Sequence, residues 1–275
     1  MNVFLTVLSS DEYLLGVLTL YKSLFNTGTK YPFYVAITND ISKQSIDILG
    51  NVNINIIKLD NNIQLPEEIK NKNSKSGYSQ WNNTLQKLSI FQLTRFKKIV
   101  YLDSDMLILN NIDELFNKKH MSAVVAGALI PGREEWKLLN SGLMVIEPKK
   151  NLGTNIAKTI DIVSKNKEYF GDQDLIQEYY NEWCQNKDLQ LSHKYNVFIK
   201  DLEFYCKKCN YNTKKNNNNS ISVVHFVGEK KPWMLSKNEL LKYLLSLIKN
   251  TEFNTLKVYL KYLKLLSISK KEKVI

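Results

Sequence analysis

A strand that ends on two carboxylates constrains this chain more than any other feature. Residues 98–110 read Lys-Ile-Val-Tyr-Leu-Asp-Ser-Asp-Met-Leu-Ile-Leu-Asn. The apolar run 99–102 has the pattern of a buried strand. In extended chain Asp103 and Asp105 project to one side while Ser104 points away. Two bare carboxylates so close repel each other unless one takes a proton or a cation bridges them, and a hard divalent ion that prefers oxygen ligands is the usual solution. The plain alternative is an Asp-Ser-Asp turn that caps the next segment, because both residue types form turns readily.

The segments around the pair set its context. Residues 3–8 read as a first strand and residues 11–25 as a helix, with Ser9 and Glu12 at capping-box spacing and Gly28 as terminator. Residues 33–38 and 53–59 read as further strands with a short helix at 43–49 between them. This βαβαβ order predicts a mostly parallel sheet with helices on both faces, an architecture that binds nucleotides at strand C-termini. No Gly-x-Gly-x-x-Gly follows the first strand, which argues against a dinucleotide site of the Rossmann type. Residues 61–79 are polar and predict a mobile loop over the ligand edge. Residues 81–96 predict a helix that buries Leu85, Leu88, Phe91 and Phe96 and carries Lys87. Beyond the acidic pair the pattern predicts strands at 107–109, 122–128, 140–146 and 223–228. Helices are predicted at 114–117, 155–165 and from Gly171 to about Trp183, with a low-complexity loop tip at 216–219.

Composition bounds the rest. At 275 residues, 44% hydrophobic and 24% charged, the chain suits one sizeable α/β domain with an appendage. The run 3–8 is too short for a signal core and lacks a basic flank, so a cytoplasmic setting is expected. A formal net charge of +11 favours anionic partners such as nucleotides or acidic membrane surfaces, and no nucleic-acid-reading motif is present. From residue 236 the chain turns Leu-, Tyr- and Lys-rich with apolar residues at helical spacing. This basic amphipathic tail (236–275) either packs on the domain or lies on a membrane surface. Cys184, Cys206 and Cys209 cannot all pair; with His193 they offer a zinc set of uncommon spacing, and free thiols are the alternative.

Four separated signals then fall in order: Asp103-Ser-Asp105, Asn140-Ser-Gly142, Gly171-Asp-Gln173 and His225-Phe-Val-Gly228-Glu-Lys-Lys231-Pro-Trp233. In this order they resemble the glycogenin-like branch of glycosyltransferase family 8, over residues 1–235. The resemblance implies a GT-A fold, α/β with a mixed, mostly parallel sheet flanked by helices, here followed by a helical C-terminal extension. It implies a UDP-sugar donor, manganese, and transfer with retention of anomeric configuration. By the same resemblance Asp103, Asp105 and His225 hold the metal. One imidazole among oxygens suits Mn2+ better than Mg2+, which stays as the alternative ion. Tyr13 would stack on uracil, with Leu8, Ser9, Lys87, Ser104, Asn140, Ser141 and Gly142 also contacting the donor. Gly228 would let backbone approach the diphosphate, and Lys231 would set an ammonium on it. Asp172 and Gln173 would lie at the reacting face of the sugar, as a covalent nucleophile or as support for an oxocarbenium ion.

The chain also departs from that pattern. Where the branch commonly carries an additional Asp before Gly-Asp-Gln, this sequence has Tyr169 and Phe170. Near the self-glucosylated position stand Tyr205 and, closer, Glu203, so an external glycan, protein or small-molecule acceptor is expected and self-priming is the alternative. Trp81, Trp136, Trp183 and Trp233 are candidates for a sugar-stacking platform, Trp233 first among them. Other classes are a Mg2+-dependent phosphatase of the haloacid dehalogenase type, which places Asp-x-Asp on its first strand, and a non-catalytic nucleotide-sugar-binding module. Oligomeric state is open, with a homodimer among the options.

Overall fold

The computed structural model describes residues 1–59, 63, 65–215 and 219–274. Nine strands are found among them: β1 Asn2–Leu8, β2 Phe33–Ile37, β3 Asn55–Lys58, β4 Lys98–Leu102, β5 Met106–Ile108, β6 Ser122–Val125, β7 Leu139–Ile146, β8 Val197–Phe198 and β9 Val223–His225. The α-helices are α1 Leu14–Phe25, α2 Lys43–Asn51, α3 Glu67–Lys75, α4 Leu152–Ala157, α5 Ile160–Asn166, α6 Asp172–Tyr179, α7 Leu202–Lys208, α8 Lys237–Lys249 and α9 Phe253–Val274.

Six strands form one sheet in the order β3-β2-β1-β4-β7-β6. The first four are parallel, as the βαβαβ pattern predicts; β7 runs antiparallel to β4, and β6, antiparallel to β7, returns to the direction of the first four. Both faces are buried, which is why β1 and β4 read as nearly continuous apolar runs. One face packs Leu85, Leu88, Phe91, Phe170 and Leu175; the other packs α1 through Leu14, Val17, Leu18 and Leu24. A second sheet, β5-β9-β8, shares a third core with the tail through Leu107, Val224, Phe226, Tyr259 and Tyr262.

Several elements differ from the sequence reading. Ser10 rather than Ser9 caps the turn before α1, its hydroxyl accepting from the Glu12 amide. Residues 79–92 form successive 3-10 turns rather than an α-helix. Leu85, Leu88 and Phe91 are spaced by three, the period that aligns side chains on a 3-10 face, and all three are buried. Within the predicted loop 61–79, residues 61, 62 and 64 lie outside the described residues, but α3 is a helix that starts after Pro66, with Glu67 and Glu68 in its first turn and Lys72 and Lys75 in its last. The helix expected over 155–165 is two, α4 and α5, and residues 216–218 of the loop tip at 216–219 lie outside the described residues. The tail is a helix pair. Ser236 and Glu239 form a reciprocal capping box on α8. The Glu203 carboxylate accepts the Asn254 and Thr255 amides and so caps α9.

Packing of one face of α9 onto the domain matches the first of the two readings of the tail. Val258, Tyr259, Tyr262, Leu265 and Leu266 are buried, the Ser269 hydroxyl meets that of Thr19 on α1, and Lys22 pairs with Glu272. The helix thus closes the domain with this face, while Phe253, Leu260 and Ile268 stay exposed on it. Among the described residues no helix is long and apolar enough to cross one.

Candidate active site

The chain changes sheets at the acidic pair. β4 ends at Leu102 in the large sheet and β5 begins at Met106 in the small one, with Asp103, Ser104 and Asp105 turning between them. The two carboxylates therefore converge through a turn and not along an extended strand. On the large-sheet side the Asp103 amide donates to Gly142 O at 2.8 Å, continuing the β4–β7 ladder. On the small-sheet side Met106 pairs with His225 and the Phe226 amide donates to Asp105 O at 2.9 Å. Pairing register alone thus brings His225, 120 residues downstream of Asp105, beside the pair.

Asp103, Asp105 and His225 are the only group of three acidic, His or Cys side chains among the described residues that could grip one ion, with ligand atoms all within 4.8 Å. His225 Nε2 lies 3.0 Å from Asp105 Oδ1 and 3.8 Å from Asp103 Oδ2. Its Nδ1 lies 3.0 Å from Asn196 Oδ1. The Asn196 amide has no other choice of orientation, because its Nδ2 donates to Asn140 Oδ1 at 2.7 Å, an oxygen that also accepts the Gly142 amide. A proton on Nδ1 then satisfies Asn196, and the Nε2 lone pair faces the two carboxylates. That donor set fits a divalent cation: two hard oxygens, one imidazole and an outer partner that fixes the ring. Gly142 is required here for space, since a Cβ would stand 2.7 Å from His225 Cε1 and 3.0 Å from Asp103 Oδ2.

Asn196 was invisible to motif reading, because a polar residue just before a two-residue strand carries no signal. Asn196→Ala is expected to weaken manganese binding by about 10- to 100-fold, the usual cost of losing an outer partner of a metal-bound histidine. Titration followed by the electron paramagnetic resonance of free Mn2+ checks this without any turnover assay, and an unchanged affinity would remove Asn196 from the site.

Next to this centre lies a buried cationic bridge. Lys87 Nζ sits 2.8 Å from Asp172 Oδ2 and 3.1 Å from Asp103 Oδ1, over the Tyr101 ring at 4.9 Å. Burial opposes its charge, but the two carboxylates outweigh burial and raise its pKa. Tyr101, which sequence reading also missed, donates its hydroxyl to Asp103 Oδ1 at 2.6 Å. Ser141 ties β7 to α6: its hydroxyl donates to Asp172 Oδ2 at 2.8 Å and its amide to Gln173 Oε1 at 3.1 Å. The Gln173 side-chain NH2 has no partner among the described residues.

Lys231 Nζ reaches Asp105 Oδ2 at 2.6 Å and Phe226 O at 3.2 Å. Burial works against both charges of this pair, yet His225 and Lys231 together hold the Asp105 carboxyl below the usual range, and Asp105 raises Lys231. Tyr13 is half-buried at the start of α1, edge-on to Trp233 at 5.7 Å, and burial followed by the nearby carboxylates raises its hydroxyl pKa against the opposing Lys231. Gly228 has φ of +118°, which its missing side chain permits. The Leu8 side chain is fully buried in the core, which leaves only its backbone at the strand end for a ligand. Ser9 and Ser104 are partly exposed, at the end of β1 and in the turn of the acidic pair.

Among known proteins, the model of the family described as Glycosyl transferase family 8 matches residues 4–236. The chain belongs to glycosyl transferase family 8. An uncharacterized protein R707 of Acanthamoeba polyphaga mimivirus is 31% identical over 247 residues, 84% of this chain and 82% of its own. UDP-glucuronate:xylan alpha-glucuronosyltransferase 2 of Arabidopsis thaliana is 31% identical over 85% of this chain, and glycogenin-2 of Homo sapiens 31% over 86%. This chain spans 36% and 44% of those two proteins. The solved galactosyltransferase LgtC, in complex with donor and acceptor sugar analogs, superposes with a TM-score of 0.63 over 97% of this chain and 95% of its own at 15% identity. That likeness establishes the GT-A fold. Membership also removes the phosphatase reading of the acidic pair.

Two sequence readings fail in the structure. The zinc set does not assemble: Cys184 packs at one face of the large sheet, Cys206 and Cys209 lie in the tail-side core, and all three are free. Burial pushes the Cys206 thiol up to about 11, away from a ligating thiolate. Trp233 is no platform either. It is buried, its Nε1 donates to Glu12 O at 2.8 Å, and its ring packs on Tyr262 and against Gly16, where a Cβ would come within 2.6 Å. Trp183 is likewise core, donating to Met121 O.

Proposed function

We propose that this family 8 glycosyltransferase moves a hexose from a UDP-sugar to an external glycan, protein or small-molecule acceptor, in a divalent-metal-dependent reaction that retains anomeric configuration. The observation that carries the reading is the convergence of Asp103, Asp105 and His225 beside the buried Lys87–Asp172–Ser141 bridge. Manganese is the first ion to test and magnesium the second. On this reading residues 1–235 carry the transfer and residues 236–275 form the helical tail. The free thiols support a cytoplasmic setting. Membrane contact by the tail would use its exposed apolar side chains, Leu241, Leu245 and Ile248 on α8 and Phe253, Leu260 and Ile268 on α9.

Cleavage of the sugar–diphosphate bond leaves a diphosphate of growing negative charge, and fixed cations in a water-poor cleft stabilise it far better than solvent does. A cation held by Asp103, Asp105 and His225 supplies that charge on one side. Lys231 supplies it on the other by turning its ammonium from Asp105 to the leaving oxygens. Tyr13 lines the base end of the donor path, with Leu8, Ser9 and Ser104 contributing backbone and hydroxyl contacts. Asn140, Ser141 and Gly142 hold the sugar end. The Asp172 carboxylate is tied by Lys87 and Ser141, which suits charge support at the anomeric carbon, and the free NH2 of Gln173 is available to the sugar.

UDP-glucose is the first donor proposed. The likeness to enzymes named for UDP-glucuronate makes that sugar the second and UDP-galactose the third. Self-priming at Tyr205 is disfavoured, because that side chain is buried and its hydroxyl accepts the Leu129 amide. UDP release from each donor, with Mn2+ and with a chelator, tests the reading, and the anomer of the product tests retention. No UDP release from any of the three leaves a non-catalytic nucleotide-sugar-binding module in its place. Intact mass after incubation with UDP-glucose tests the acceptor: a ladder of hexose additions lost in Tyr205→Phe would make the protein its own primer.

Lys231→Ala is expected to lower the rate per bound donor more than donor affinity, since the leaving diphosphate is more anionic in the transition state than in the bound sugar nucleotide. Calorimetry with UDP and kinetics at saturating donor separate the two. A rate unaffected at saturation would remove Lys231 from the chemistry.

A further inference from the structure

Four tryptophans sit in different surroundings, and their indole N–H groups sort them. Trp183 and Trp233 are buried with Nε1 bound to a backbone carbonyl, the mark of a structural residue. Trp136 is 56% exposed under the Arg133 guanidinium. Trp81 is half-buried, and its Nε1 has no partner among the described residues. It stacks on Tyr78 with ring centroids 4.3 Å apart and planes at 18°, and Tyr78 stacks in turn on Tyr169 at 4.7 Å and 20°. Trp81 and Tyr169 are 6.2 Å apart. The rings are therefore offset around Tyr78 and do not form a closed sandwich. The hydroxyls of Tyr78 and Tyr169 are also unpartnered among the described residues.

This trio is held rigidly against the reacting segment. The buried Asn73 side chain clamps Phe170 from both sides, accepting its amide and donating to its carbonyl, each at 3.1 Å. Phe170 points into the core and Tyr169, its neighbour, points out. The Gly171 backbone lies against Trp81, whose Cβ and Cγ a side chain there would meet at 3.5 Å. The Asp172 amide then donates to Thr84 Oγ1, which stands one 3-10 turn beyond Trp81. Tyr169 is three residues from Asp172, at most about 10 Å of chain, a separation of one or two pyranose units. No charged side chain belongs to the trio.

We propose that Tyr78, Trp81 and Tyr169 form a stacking platform for a neutral pyranose unit of a glycan acceptor. Aromatic faces match the C–H faces of such a ring, and the unpartnered indole N–H and phenol hydroxyls match its hydroxyls. Because the trio is fixed by Asn73 before any ligand arrives, little ordering opposes binding. The proposal deepens the glycosyltransferase reading above and rests on it only for the direction of transfer.

The full-length chain is titrated with maltotetraose and, separately, with β-1,4-xylotetraose, by calorimetry and intrinsic tryptophan fluorescence. At least one is expected to bind saturably, and Trp81→Ala to weaken that binding about tenfold or more, while Trp81→Phe keeps most of it. Tyr169→Ala, at a position 38% exposed, gives the same reading should Trp81→Ala fail to fold. Binding of neither oligosaccharide overturns the platform, as does a Kd equal in wild type and both alanine variants. UDP release by the wild type without oligosaccharide reports on the donor reading separately. Platform-dependent binding without UDP release would overturn the transferase and keep the platform.

Discussion

Asp105→Asn is expected to lose the proposed manganese-dependent UDP-sugar turnover by about a thousandfold while the fold persists. The change is nearly isosteric, so packing around residue 105 survives, but a neutral amide cannot offset the charge of a divalent ion. Loss of one charged ligand costs several kcal/mol of transition-state stabilisation, and about 1.4 kcal/mol is tenfold in rate. The environment amplifies the loss. Asp105 is buried and meets two groups at once, the His225 ring at 3.0 Å and the Lys231 ammonium at 2.6 Å, so the amide disturbs both sides of the proposed diphosphate site. UDP release across a manganese titration is the measurement, with circular dichroism as the fold control. Full activity at limiting manganese would remove Asp105 from the metal site.

Lys87→Met is expected to cost about 3–5 kcal/mol of folding stability, the range for breaking a buried ion pair from one side. Its ammonium is enclosed by Asp103, Asp172, Ser141 and the Tyr101 ring, and methionine fills the volume while leaving two carboxylates without a counter-charge. The sign with pH follows from the raised Lys87 pKa. A cation favoured by the folded state stabilises fully below its unfolded pKa, about 10.4, and that stability is lost only as pH rises through the folded value. The contribution is therefore whole at pH 7, where urea unfolding of both proteins checks it. A difference under about 0.5 kcal/mol, the scatter of surface substitutions, would mean that water replaces the ammonium freely. Activity should fall as well, because Lys87 orients Asp172.

The parallel half of the large sheet was legible because both its faces are buried. β1, β2 and β4 are continuous apolar runs, and each is punctuated by a capped helix or a polar turn. Regions whose local signals conflict were less legible. Residues 79–92 carry apolar residues every third position, a spacing that α-helix and 3-10 turns share over short spans; buried Leu85, Leu88 and Phe91 select the tighter form. Residues 67–75 hold only one buried apolar side chain, Ile69, and one buried polar one, Asn73, so no stripe announced α3. The Asn73 clamp on Phe170 is a contact across 97 residues, which no window along the chain can see.

For the candidate site the division is similar. Sequence by itself determined the residue types and their short spacings: Asp103 two before Asp105, Asn140-Ser-Gly142 at a strand entry, Asp172-Gln173 at a helix start, His225 three before Gly228. Those spacings hold because side chains two to four apart are placed by the local backbone alone. Tertiary structure alone decided which of them meet. His225 reaches Asp105 because β9 pairs with β5 in one register, and Asp103 lines up with Gly142 because β7 extends β4. Lys87 enters the site because one 3-10 turn separates it from Thr84, so that both reach Asp172. Asn196 fixes the His225 ring, and Trp233 is spent in the core while Trp81 is left at the surface. Each of these is set by how buried faces pack and strands pair across long separations, where the free energy of the whole fold, and no local preference, selects the partner.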